Sequence, residues 1–153
     1  MLTAYFLNGC AHVISQELRE KADKKVTPEI LFHDPAAYKG KLVILGGNIV
    51  SARNTEEGTY VEVLQKPLDY RGRPQETDIS YGRFIIFHEK YLDAAIYSSG
   101  KEITAAGTVV GITVRPLDEI QYPYLLIKAH ELHLFDPRDY FPIGFSIGIF
   151  SSF

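Results

Sequence analysis

With a single cysteine, Cys10, among 153 residues, the chain can close no internal disulfide and build no multi-cysteine metal site. A basic excess is missing too, since 16 Lys and Arg against 19 Asp and Glu leave a net charge of −3. Nucleic-acid binding draws most of its energy from clustered Lys and Arg, so this balance argues against such a partner. No run approaches the roughly 18 consecutive apolar residues of a membrane-spanning helix, and membrane attachment would have to come through lipid or a peripheral surface. Nor is there a Gly-x-Ser-x-Gly nucleophile elbow. Gly107-Thr108-Val109-Val110-Gly111 lies inside a strand pattern, without the lysine and helix of a phosphate-binding loop.

What is there suffices for one globular domain, with 46% hydrophobic residues. Residues 10–27 are polar and charge-dense through Glu17-Leu18-Arg19-Glu20-Lys21-Ala22-Asp23-Lys24-Lys25, which reads as a solvated tether or a frayed helix. From Thr27-Pro28 onward a core begins, with a capped helical turn over Asp34-Pro35-Ala36-Ala37-Tyr38-Lys39-Gly40. Strands are expected over 41–50, 59–64, 83–88, 102–114 and 124–135, from their Val, Ile and aromatic content and their apolar–polar alternation. Gly46-Gly47 and Gly107 fall inside strands, as at barrel corners. Residues 66–81, with Pro67, Gly72 and Pro74, form a long surface loop suited to specificity. A helical turn is expected over Tyr91-Leu92-Asp93-Ala94-Ala95-Ile96-Tyr97, between the third and fourth strands. The pattern as a whole predicts a mainly β fold, a small OB-like Greek-key barrel of about five strands with one or two short helices, with a sandwich as the competing arrangement.

The apolar run Leu2-Thr3-Ala4-Tyr5-Phe6-Leu7 leads through Asn8-Gly9 to Cys10, in the manner of a bacterial lipobox. A thiol can be alkylated to a diacylglycerol thioether, and a small preceding residue lets a signal peptidase approach the backbone. Residues 1–9 would then be a partial lipoprotein signal. They contain no Lys or Arg, so either translation starts upstream of Met1 or Cys10 is an ordinary thiol.

Four ordered stretches resemble the Slp family of outer-membrane lipoproteins, the starvation-inducible type. They are Pro35-Ala36-Ala37-Tyr38-Lys39-Gly40-Lys41 leading into Gly46-Gly47, and Leu64-Gln65-Lys66-Pro67-Leu68-Asp69 leading through Arg71-Gly72-Arg73-Pro74 to Gly82-Arg83-Phe84. Next come Tyr91-Leu92-Asp93 through Ala106-Gly107, and Tyr122-Pro123-Tyr124 through His130-Glu131-Leu132-His133-Leu134. The resemblance implies a lipoprotein held in the Gram-negative outer membrane by an acylated Cys10, palmitate among its acyl chains, with no catalytic residues to carry over. Ala11 after the cysteine is similar to outer-membrane cargo, where Asp would mark inner-membrane retention. Asn8 and Ala94 depart from the usual family residues.

Competing sites are weaker. His130 and His133, three apart on a strand, point to opposite faces and cannot chelate one ion without a bulge, so no metal or other cofactor is expected. Asp69, Asp78 and Asp93 sit in loops and helix starts, where carboxylates usually cap turns. No enzyme activity is expected. The tail over 136–153 carries no charge after Asp139, and Phe141, Phe145, Phe150 and Phe153 offer lipid or an envelope protein an apolar contact. The leading expectation is therefore a non-catalytic structural or binding component of the envelope, lipid-anchored on the periplasmic face of the outer membrane. A soluble OB-type ligand- or oligomer-binding module and a periplasmic hydrolase are the alternatives.

Overall fold

The computed structural model describes residues 11–137, so Cys10, its lipobox and the phenylalanines from Phe141 onward lie outside the described residues. Two short helices, α1 (Gln16–Lys21) and α2 (Pro28–His33), and a 3-10 turn (Pro35–Tyr38) precede five strands. The strands are β1 (Leu42–Asn54), β2 (Thr59–Lys66), β3 (Arg83–His88), β4 (Glu102–Leu117) and β5 (Ile120–Leu134).

They close into a barrel in the order β1-β2-β3-β5-β4. Every contact is antiparallel except β3 with β5, where Phe84 pairs Leu125 in parallel. A five-stranded barrel in which the chain skips a neighbour at β4 and returns through β5 is the OB-type Greek key. Period-2 alternation drives it: along β2 the odd residues from Thr59 to Gln65 are buried while the even ones are half-exposed. Val43, Leu45, Val63, Phe84, Ile103 and Ile127 meet in the interior. Close strand approach explains the paired glycines, since a Cβ on Gly47 would fall 1.9 Å from the Leu64 carbonyl oxygen.

α2 packs against the barrel core. Its Leu31 is fully buried, and Phe32 packs edge-on to Phe84 at 6.2 Å. Thr27 caps this helix by accepting from the Ile30 N–H, and Pro28 stands in its first turn, where no donor is needed.

The helical turn expected over Tyr91–Tyr97 is present, with Ile96 and Tyr97 N–H both donating to the Asp93 carbonyl, and it extends into no further helix. Leu92 N–H is already tied to Thr59 Oγ1, and Gly100 at φ +91° reverses the chain. Both α-helices lie ahead of the barrel instead.

Of the two readings of the charge-dense segment, the short helix is found, as α1 with no buried residue, and the solvated tether is corrected for residues 11–27. Ile14 is 1% exposed, Val13 N–H donates to the Arg71 carbonyl at 2.9 Å, and Ser15 N–H donates to Glu131 Oε1 at 2.9 Å. Asp23 N–H reaches the Leu42 carbonyl at 3.0 Å. The charges that make this stretch look soluble lie on and beyond α1, where Glu17 pairs with Lys21 and no residue is buried, while backbone groups, Ile14 and Val26 do the docking.

Candidate functional site

At the end of β2 remote from the β1–β2 turn, the β2–β3 loop folds back on itself through a bridge between Leu68 and Pro74. Asp69 organises the bend. Its Oδ1 accepts from the N–H groups of Arg71 and Arg73, both at 2.9 Å, so this carboxylate serves the loop's backbone, as Asx-type turns do. Asp93 does the same for Ala95 N–H. Gly72, at φ +83°, lies under the His12 ring, which stands 2.4 Å from where a Cβ would be. Its carbonyl accepts from buried Thr104 Oγ1 at 2.6 Å, which fixes the loop to β4.

The loop presents Tyr70, 80% exposed, and Arg71 at its tip. Behind the tip lies a cavity of about 600 Å³, lined by Ala11, His12, Val13, Asp69, Arg71, Arg73, His133 and Phe135. Arg73 runs across its floor, with Nε bonded to Glu102 Oε2 at 3.1 Å and its guanidinium 5.0 Å from the Phe135 ring centre. His133 meets the same phenylalanine edge-on, with ring centres 4.5 Å apart. Burial, aided by the charge of Arg19, holds His12 below its ordinary pKa of 6.5. Its Nδ1 accepts from the Ile14 N–H at 3.0 Å, so the proton of the neutral ring sits on Nε2.

Of the residues singled out in the sequence, the structure brings Asp69, the Arg71-Gly72-Arg73 turn and His133 to this one end. His130 turns away and contacts Thr108 Oγ1 at 2.7 Å. Among the described residues no group of three His, Cys, Asp or Glu is placed to hold a metal ion. His12, Arg71 and Arg73 went unassigned in the sequence reading. Their only sequence signal was the Arg-Gly-Arg-Pro turn, because the partner segment 11–13 is distant in sequence and carries one histidine.

Elsewhere, Tyr124 is buried beside an ion pair between Arg83 and Glu62, at 3.1 Å. Burial, reinforced by a hydrogen bond to Glu62, pushes its hydroxyl up to about 12, so it is a neutral donor inside the fold. A shallow depression of about 650 Å³ beside α2 is lined by Phe32, Tyr38 and Tyr81 together with Glu29, His33 and Asp34, and no arginine or lysine stands among them.

The family model of the outer membrane lipoprotein Slp family matches residues 7–144, nearly the whole chain. The chain belongs to the Slp family. It is thus a membrane lipoprotein of the outer membrane, and the family match takes in the Leu7-Asn8-Gly9-Cys10 step as well as the barrel. No curated protein matches the chain. Among solved structures it is similar to the small single-stranded DNA-binding protein from Streptomyces coelicolor, at 12% identity and a TM-score of 0.39, covering 65% of this chain and 97% of that one. The barrel assignment rests on the strand order given above, not on that likeness.

Proposed function

We propose that the chain is a non-catalytic structural or binding component of the cell envelope, anchored through acyl chains on Cys10 and facing the periplasm. The observation that carries this reading is the continuity of the Slp match from the lipobox into the barrel, over residues 7–144. In support, Ala11 lies on the rim of the charged cavity, so an acyl group on Cys10 would leave the barrel end one residue away. Two or more acyl chains make attachment stable, each buried CH₂ contributing about 0.8 kcal/mol. Residues 1–9 are part of a lipoprotein signal that is cleaved before Cys10, and the phenylalanines of 141–153 contact lipid or an envelope partner.

Metabolic labelling with a palmitate analogue in a Gram-negative host, with a complete leader supplied, tests the anchor. Label is expected on the wild type and lost in Cys10→Ser. Equal labelling of both, or of neither, would remove the lipid-anchor reading.

A further inference from the structure

The geometry points to a membrane-docking face: the barrel end formed by Tyr70, Arg71, His133 and the 11–13 segment rests on the phospholipid headgroups around the anchor, with Arg71 meeting their phosphates. This inference rests on the lipid-anchor reading of Cys10. Consecutive Cα atoms are about 3.8 Å apart, so the anchoring residue lies one such step beyond Ala11 on the cavity rim. The chain is held in place two residues beyond Ala11, where Val13 N–H is bonded to the Arg71 carbonyl and Ile14 is buried. A docked segment leaves no slack for the domain to stand off the bilayer or to turn another side towards it.

The side chains at that end suit an interface. Tyr70 projects an amphipathic ring that is 80% exposed, the arrangement that aromatic residues adopt at headgroup depth. Arg71, beside it, is exposed and offers a planar donor fork to phosphate oxygens. Asp69, the nearest carboxylate, is turned inward onto the loop's own N–H groups. The described chain also reaches Pro137 here, at a groove shared with Arg73, Lys101 and Phe135, so the apolar sequence that follows starts from the same end. The opposite end carries the β1–β2 turn, where the Tyr91 hydroxyl donates to the Glu56 carbonyl. The eight residues of β2 separate the two ends by roughly 25 Å.

The chain contains no tryptophan, so one introduced indole reports one place. Tyr70→Trp and Tyr91→Trp replace residues that are 80% and 65% exposed, and cooperative melting of each verifies its fold. Each full-length variant is coupled through its single thiol, Cys10, to maleimide-bearing lipid in phosphatidylethanolamine–phosphatidylglycerol vesicles doped with brominated phospholipid. This coupling makes docking independent of whether the host acylates Cys10, so failure of the anchor and failure of the docking face are separately visible. Expected is a blue-shifted emission at position 70, quenched several-fold more than at position 91, with the difference reduced when Arg71→Glu is added. Equal quenching at both positions, stronger quenching at 91, or none at either would overturn the docking face.

Discussion

His12 shows how one side chain ties charge to attachment. Its ring sits over Gly72, accepts from the Ile14 N–H, and is flanked by Arg19, Asp69 and Glu131. Burial and Arg19 lower its pKa, and the two carboxylates offset this only in part. The folded state therefore resists a proton that the unfolded chain accepts near 6.5, so the stability contributed here is present above that pH and is lost as pH falls through it. Protonation at Nδ1 also removes the acceptor for Ile14. Hydrogen exchange at the Ile14 amide, corrected for the intrinsic pH dependence, is expected to lose protection as pH falls below 6.5. His12→Gln, which cannot titrate, should flatten that dependence, and an unchanged profile would contradict this role.

Among the elements, the stretch before the barrel has the most to test. It joins the barrel through backbone hydrogen bonds and the side chain of Ile14, with Val26 adding a partly buried contact to the core. Truncating a fully buried isoleucine costs about 2–5 kcal/mol, and in a domain of this size each kcal/mol shifts Tm by roughly 2–4 °C. Ile14→Ala should therefore lower Tm by roughly 5–15 °C, measured by circular dichroism. Deleting residues 1–26 should leave a β-type spectrum, because every strand begins later, but with a similar loss of Tm. A truncated chain as stable as the whole would show that the segment merely lies on the barrel. The β4–β5 hairpin makes a second point at this scale. β1 pairs β4 only as far as Thr108 and β3 pairs β5 only from Leu125, so beyond them the two strands run on as a two-stranded ribbon. Pro116 and Pro123 are tolerated there because no third strand requires their missing N–H.

For the molecule as a whole, the layout is polar. Ala11, the Tyr70–Arg71 tip, His133 and Pro137 gather at one end, while the β1–β2 turn occupies the other. An anchor and a second apolar contact leaving from one end would act together, as two weak attachments do when a single lipid chain holds only marginally. Deleting residues 141–153 is accordingly expected to weaken vesicle or partner association in flotation assays while leaving Tm nearly unchanged. A large fall in Tm with association intact would assign those phenylalanines to core packing.

Residue alternation was enough to place the strands. Arg83–His88 emerges with the bounds its apolar run implies, and β1, β4 and β5 are longer than expected chiefly where polar residues or prolines interrupt the pattern. The family, too, was legible in the ordered Pro, Gly and Tyr landmarks, because turns and close strand approaches demand those residue types locally. Only the tertiary structure decided that the charge-dense segment is docked, that both α-helices precede the barrel, and that His12 meets Arg71, Arg73 and His133. Those outcomes depend on backbone groups and on contacts between residues some sixty or more positions apart, and neither leaves a periodic trace in the order of the side chains.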